Sequence, residues 1–199
     1  DIRSYLENRF KGIIEDGSQR AFFPNGFAYY VYGLSMFDLS ISFETLTEDY
    51  FTNTYGPAKD IVMKYLKGID ETLSQEYLEY IHSKPVKADH YRNPAEIEKL
   101  RRVDEICKEA EEALKDLTYE HRVQTMATNL LFYHMEYCRG LANAFILKCE
   151  GKDAEAKQNF SDFFREFGKK EVAIERYYDQ HNNVQAFTPI FSSLPEAQM

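Results

Sequence analysis

The sequence contains no tryptophan, only 9 glycines and only 6 prolines among its 199 residues. So few turn-forming residues argue against an all-β fold, because the many short strands of such a fold need frequent turns. The 15 phenylalanines and 15 tyrosines argue against disorder, since disordered chains are poor in aromatic residues. The length fits one domain, with at most part of a second.

Basic residues are also scarce. The chain has 24 Lys and Arg against 33 Asp and Glu, which gives a formal net charge of −9. A broad phosphate-binding surface needs the opposite sign of charge, so we expect no nucleic acid partner. No apolar run reaches the roughly 18 residues of a membrane span, and no signal peptide is recognisable. Because residue 1 is Asp1 and not methionine, we expect the chain to be processed or cut from a longer protein.

The three cysteines, Cys107, Cys138 and Cys149, are too few and too far apart for a disulfide framework or a Cys-x-x-Cys metal site. On one straight helix, Cys138 and Cys149 would face the same side about 16 Å apart, which is too far for a disulfide bond. We therefore expect buried free thiols. The odd number mildly favours a reducing compartment but excludes no other.

Motifs for common catalytic chemistry are missing as well. The sequence has no Gly-x-Ser-x-Gly, Gly-x-Gly-x-x-Gly, phosphate-binding Gly-Lys-Ser/Thr or His-Glu-x-x-His motif. A di-metal site in a helical bundle needs two Glu-x-x-His pairs, and the only pair here joins Glu79 and His82. His134 lies on an apolar stripe, which is typical of a hydrogen-bonded core histidine rather than of a ligand or a base. We expect no metal, no cofactor and no catalytic residue in this chain.

Helix signals dominate after the first 40 residues. Apolar side chains recur every three or four residues, and capping residues flank several of these runs. The pattern predicts helices over residues 25–36, 42–54, 57–81, 93–116, 118–149 and 153–181, a loop over 83–93 and a coil over 184–199. The predicted fold is mainly α, an antiparallel bundle of about five or six helices.

A short apolar run from Phe10 to Ile14 is followed by Glu15, Asp16 and Gly17. It predicts a strand that ends in a loop, but no partner strand is predicted downstream, and a single strand is not stable in water. The strand would then belong to a sheet that this sequence does not contain. Acidic residues at the carboxyl end of a strand are typical of the active-site rim of barrel enzymes, and an exposed Asp-Gly turn is the alternative.

Four segments of the first 70 residues together form a recognisable pattern. They are Asp1–Leu6, Lys11–Gly17, Gly26–Asp38 and above all Glu48–Ala58, which reads Glu-Asp-Tyr-Phe-Thr-Asn-Thr-Tyr-Gly-Pro-Ala. This pattern resembles a bacterial family of glycoside-hydrolase-like proteins of unassigned function. In that family a (β/α)8 barrel, similar to those of α-glucuronidases and β-hexosaminidases, is followed by a helical domain. The sequence departs at Met36-Phe37-Asp38, where the family has Leu-Trp-Asp, and Phe37 can fill the same packing role.

The resemblance implies a division of the chain. Residues 1–24 would be the remnant of the end of the barrel and its last strand, residues 25–183 a helical domain, and residues 184–199 a C-terminal coil. Glu15, followed by Asp16, would lie where the last strand meets the active-site rim. Tyr29, Tyr30 and Tyr32 would lie near the substrate cleft, since aromatic faces suit sugar rings.

The function implied by the resemblance is that of a helical module that braces a catalytic barrel in bacterial glycan degradation. The glycan would bind through the barrel, and the protein would be periplasmic, secreted or at the cell surface. Glycoside hydrolysis needs two carboxyl groups held across the scissile bond, so we expect no turnover by this chain alone. The alternative is a protein interaction or homodimerisation module that makes no glycan contact.

Overall fold

The computed structural model describes residues 2–11, 20, 26–81, 85 and 87–192. Its α-helices are α1 (Ile2–Glu7), α2 (Phe27–Phe37), α3 (Phe43–Tyr55), α4 (Lys59–Thr72), α5 (Gln75–Leu78), α6 (Ile97–Leu114), α7 (Arg122–Cys149), α8 (Asp153–Gly168), α9 (Glu171–Ile174) and α10 (Gln180–Ser192). Short 3₁₀ turns cover Gly56–Ala58, Ala88–Tyr91 and Pro94–Glu96. The described residues include no β-strand, so the mainly α class is confirmed. The antiparallel order of the helices and the barrel remnant stay predictions.

Capping side chains start two helices where the sequence predicts them. The hydroxyl of Ser42 accepts a hydrogen bond from the backbone N–H of Thr45 at the start of α3. The side chain of Asn93 accepts one from the N–H of Ala95 just before α6. Each cap satisfies a donor that the first turn of a helix leaves unpaired, and contributes about 1 kcal/mol. Gly56 ends α3 with a φ of 52°, in the left-handed region that favours glycine.

The core is built around α7, a helix of 28 residues. This helix packs against α3, α6 and α8, while α4 packs on α6 and α10 packs on α8. Leu131, Met135 and Phe145 are fully buried along α7. Because buried positions recur along one stripe of α7 over most of its length, that stripe joins the separate helices into one hydrophobic cluster.

Three predicted helices differ from the observed ones at their ends. The helix predicted over 57–81 ends at Thr72, because Ser74 caps a separate helix by accepting a hydrogen bond from the N–H of Tyr77. The helix predicted from Thr118 begins at Arg122. The helix predicted over 153–181 ends at Gly168, where the side-chain amide of Gln180 donates to the carbonyl of Phe164. That contact comes from a residue 16 positions away, outside α8.

The coil predicted over 184–199 is wrong as far as residue 192, because α10 runs to Ser192. The N–H of Asn182 donates to the carboxylate of Asp179 at 3.0 Å, and Asn182 lies in the first turn of α10. Pro189 lies inside this helix. Three apolar side chains at helical spacing are buried, and they are Phe187, Ile190 and Phe191. Burial of this stripe outweighs the local signals for a coil.

The strand predicted from Phe10 to Ile14 is not observed where it can be checked. Phe10 and Lys11 belong to no helix or strand, and residues 12–14 lie outside the described part of the chain. The helix α1 just before them was not predicted from the sequence.

At Gly140, α7 contacts a side chain of α8 closely. A Cβ atom at this position would lie 2.2 Å from Cε2 of Phe163 on α8. We expect Gly140→Ala to lower the free energy of unfolding by about 1 to 2 kcal/mol, because overpacking forces the ring aside. Gly33→Ala is the matched control, since nothing lies within 4 Å of its Cβ, and it should stabilise α2 slightly. Urea denaturation measures both changes, and equal effects would contradict the packing argument.

Candidate functional site

The helix α2 is uncharged over all eleven residues, and none of them is buried. Phe37 is 90% exposed and Met36 46% exposed at its C-terminal end. A helix that is apolar on every side is normally buried, because each side would otherwise expose hydrocarbon to water. Within the described part of the chain, α2 is thus an apolar helix that has too little to pack against.

Aromatic contacts attach the first turn of α2 to α3. The ring centroid of Phe27 lies 5.7 Å from that of Phe43, 5.3 Å from that of Tyr50 and 5.2 Å from that of Phe51. These separations are typical of favourable aromatic pairs, which contribute about 0.5 to 1.5 kcal/mol each beyond the area they bury. Phe27 therefore fixes the position of α2 against α3, whereas Met36 and Phe37 at the other end stay exposed.

A cavity of about 710 Å³ opens between α2 and the N-terminal part of α3, and we call it the α2–α3 groove. Ile2 of α1 also lines it. Its lining is largely apolar and includes Val31, Tyr32, Leu39, Ile41, Phe43 and Leu46. Among the described residues of this lining, Glu44 is the one that is charged. A concave apolar surface with few polar groups is suited to binding.

A polar cluster lies on another side of α2. The hydroxyl of Tyr30 donates to one carboxylate oxygen of Asp49, and the side-chain amide of Asn53 donates to the other at 2.9 Å. The hydrogen bond to Asp49 raises the pKa of Tyr30 to about 12, with smaller contributions from burial and from the negative charge of Asp49. The ring of Tyr50 lies 5.3 Å from that of Tyr30. Tyr30 thus remains a hydrogen-bonded phenol at neutral pH.

The structure separates the three tyrosines that the sequence singles out. Tyr32 lines the α2–α3 groove, whereas Tyr30 contacts Asp49 and Tyr50. Tyr29, which is partly buried, does not line the groove. Positions 30 and 32 are about 200° apart around a helix, so they cannot form one flat platform. The other two candidates, Glu15 and Asp16, lie outside the described residues.

The buried polar groups of the core do not form a catalytic centre. The hydroxyl of Tyr65 lies 2.7 Å from Nδ1 of His134, and Sγ of Cys138 lies 3.4 Å from Nε2 of the same ring. Burial lowers the pKa of His134 to about 3 and raises the pKa of Cys107 to about 11. Burial also raises the pKa of Cys138 far above that of an ordinary thiol. A neutral imidazole beside protonated thiols offers no nucleophile and no effective base near pH 7.

These core groups agree with two sequence predictions. His134 is a hydrogen-bonded core histidine, and Cys107, Cys138 and Cys149 are buried free thiols. Among the residues that the structure describes, no group of three or more His, Cys, Asp or Glu side chains could hold a metal ion. No helix in the described ranges is both long and apolar enough to cross a membrane.

The sequence reading missed most of the α2–α3 groove and the polar cluster. It singled out the tyrosines of α2 but not Leu39, Ile41, Phe43 or Asp49, which approach α2 only after the chain folds back. Two features of the sequence could have indicated the α2–α3 groove and the polar cluster. One is the uncharged, aromatic composition of α2, and the other is the absence of Lys, Arg and His from residues 26–58.

No protein-family model, curated protein or solved structure matches this chain. The resemblance to glycoside-hydrolase-like proteins therefore stays a prediction. The fold and the candidate site define the chain as a mainly helical protein with an exposed apolar helix and an adjoining apolar groove.

Proposed function

We propose that this chain is a non-catalytic helical module of a bacterial glycoside-hydrolase-like protein, in which α2 packs against the barrel and braces it. The protein would be periplasmic, secreted or at the cell surface. The single observation behind the bracing role is α2, which is uncharged throughout and has no buried residue. Packing against a neighbouring domain would bury it. In the sequence, α2 directly follows the segment that resembles the end of a barrel.

The polar cluster beside α2 supports a contribution to the substrate cleft. Tyr30 and Tyr50 present two neighbouring rings, with the carboxylate of Asp49 and the amide of Asn53 next to them. Aromatic faces suit the apolar faces of sugar rings, and carboxylate and amide groups suit their hydroxyls. In this proposal the barrel binds the glycan, and these side chains form one wall of the cleft.

Binding to a barrel tests the bracing role. We expect a separately produced (β/α)8 barrel of the resembling family to bind this chain, and Met36→Ser/Phe37→Ser to weaken the binding at least tenfold. Full burial of a Phe or Met side chain contributes about 1.5 to 3 kcal/mol, and a tenfold change in affinity corresponds to about 1.4 kcal/mol. Isothermal titration calorimetry measures the affinity.

Val172→Ser on α9 is the matched control for this experiment, because Val172 is 83% exposed and is also apolar. Equal weakening by both variants, or no binding to the barrel, contradicts the bracing role.

Oligosaccharides that contain uronic acid or hexosamine then test the cleft in the presence of the barrel. If Tyr30→Ala leaves their affinity unchanged, Tyr30 is not part of the cleft.

The second candidate function is an interaction or homodimerisation module with no glycan contact. It is favoured by the exposed apolar side chains near the N-terminal end of the described chain, which are Tyr5, Phe10, Met36, Phe37 and Phe43. Size-exclusion chromatography with light scattering separates the candidates. A dimer of the isolated chain that Phe37→Ser converts to a monomer supports this second function.

A further inference from the structure

Another cavity lies between α3 and the N-terminal part of α7, and we call it the α3–α7 pocket. Its volume is about 580 Å³, which is within the range of small-molecule sites in proteins. Its lining includes Tyr50 and Tyr55 of α3, Val123 and Met126 of α7, and Tyr177 between α9 and α10. The pocket thus has the size of a small-molecule site and a lining rich in aromatic and apolar side chains.

The two walls of the α3–α7 pocket differ in how firmly they are held. On α3, the ring centroid of Tyr50 lies 5.2 Å from that of Phe51 and 6.4 Å from that of Tyr55, so neighbouring rings fix its position. On α7, Val123 is 57% exposed and Met126 is 43% exposed. An apolar ligand would cover this exposed hydrocarbon, and a wall that is already ordered loses little entropy when the ligand binds.

Arg122, the first residue of α7, gives the α3–α7 pocket its charge. Arg122 lines the pocket and is exposed, and it forms no ion pair in the part of the chain that the structure describes. No described residue of the lining is acidic, and Glu120, the nearest acid in the sequence, does not line the pocket. Arg139 differs, because it lines a cavity between α6 and α7 but is paired with Asp104 and Glu111. The guanidinium of Arg122 is therefore available to an anionic ligand.

From these features we infer that the α3–α7 pocket binds a small aromatic carboxylate, with its ring against Tyr50 and Tyr177 and its carboxylate on Arg122. A guanidinium pairs with a carboxylate through two parallel hydrogen bonds, and tyrosine rings suit a flat aromatic body. The inference goes beyond the proposed bracing role and does not depend on it, because none of the described lining residues belongs to α2.

The charge of the lining favours a ligand with one negative charge. Among the described lining residues, Arg122 is the one cation, so a second anionic group on the ligand would meet no partner there. The protein also has a formal net charge of −9, which repels multiply charged anions most strongly. Both arguments disfavour nucleotides and polyphosphates and favour a monocarboxylate.

Two probes with the same ring system test the inference, and they are 2-naphthoate and its neutral amide, 2-naphthamide. We expect 2-naphthoate to bind with a Kd of about 1 mM or below, as is usual for a ligand of this size, and at least threefold more tightly than the amide at 50 mM salt. Raising the salt to 300 mM should weaken only the carboxylate, because salt screens its pairing with Arg122. Two-dimensional NMR measures both affinities and should show the largest shifts at Tyr50, Val123 and Met126. Because the protein is negatively charged overall, a preference for the anion cannot come from its net charge.

Matched variants separate the α3–α7 pocket from the rest of the surface. We expect Arg122→Gln to weaken 2-naphthoate at least threefold and to leave 2-naphthamide within twofold. Arg102→Gln on α6 removes the same charge from another exposed arginine and should leave both affinities within twofold. Met126→Ser should weaken both probes by removing apolar contact, whereas Met63→Ser at an exposed position of α4 should weaken neither.

Four results would overturn the inference of a carboxylate site. They are equal binding of the two probes, equal weakening by the two arginine variants, NMR shifts centred on the α2–α3 groove, and no detectable binding at several millimolar 2-naphthoate. The bracing role is tested separately by Met36→Ser/Phe37→Ser, which should leave the affinity for 2-naphthoate within twofold. Failure of either proposal is therefore distinguishable from failure of the other.

Discussion

We expect Asp153→Ala to lower the free energy of unfolding by about 3 to 5 kcal/mol, the usual cost of removing one partner of a buried ion pair. The side chain of Lys148 has no exposed surface, and its Nζ lies 2.5 Å from Oδ1 of Asp153. The carboxylate also lies 3.2 Å from the guanidinium of Arg92. In the variant, a fully buried ammonium near the end of α7 loses its carboxylate. Urea denaturation at pH 7.5 measures the loss.

The pKa of Asp153 is consistent with this strong pairing. Burial raises this pKa, but hydrogen bonds and charges from Lys148 and Arg92 outweigh burial and hold it below its ordinary value. Asp153 also lies in the first turn of α8, where negative charge is favourable. The carboxylate therefore joins the end of α7, the start of α8 and the turn before α6.

Two further variants show whether burial is the cause. Lys148→Met should lower the free energy of unfolding less than Asp153→Ala does. The Lys148→Met variant leaves no buried ammonium, and Asp153 keeps its ion pair with Arg92. Asp162→Ala is the matched control on the same helix, since Asp162 pairs with Arg165 at 2.6 Å in an exposed position. This exposed pair should contribute little, because water and salt screen the two charges. A loss at Asp153 no larger than that at Asp162 contradicts the burial argument.

Much of the helical fold could be predicted because its signals are local. The apolar stripes of α6 and α7 recur at helical spacing, and the caps Ser42 and Asn93 lie beside the turns they stabilise. The ends of other helices depend on distant residues. Gln180 reaches the carbonyl of Phe164 across the segment that contains α9, and the burial of α10 is decided by its packing on α8. Spacing along the chain cannot show either contact.

The candidate site was predictable only in part for the same reason. The resemblance, together with the aromatic character of this segment, singles out Tyr29, Tyr30 and Tyr32 in the sequence. Their division between the groove and the polar cluster follows from how α2 lies against α3, which is set by the contacts of Phe27. The position of α2 against α3 is a feature of the tertiary structure. The sequence does show that Lys, Arg and His are absent from residues 26–58.

We expect the protein to lose stability between pH 6.5 and about pH 3 through His134. Burial lowers the pKa of His134 from 6.5 to about 3, so the folded protein keeps this ring neutral in acid while the unfolded chain protonates it. The unfolded state then binds more protons, and stability falls as pH falls. At about 1.4 kcal/mol per pH unit, the loss reaches about 2 kcal/mol at pH 5 and about 4 kcal/mol over the full range. Above pH 6.5 the ring is neutral in both states and this effect is absent.

A variant that cannot ionise isolates this contribution. His134→Asn keeps a polar group near Nδ1, where the hydroxyl of Tyr65 lies 2.7 Å away. We expect the variant to be less stable at pH 7.5, because it loses part of the packing, but its loss between pH 7.5 and pH 5 should be smaller by about 2 kcal/mol. Urea denaturation at both pH values measures the difference. An unchanged pH dependence in His134→Asn would show that this ring titrates normally in the folded protein.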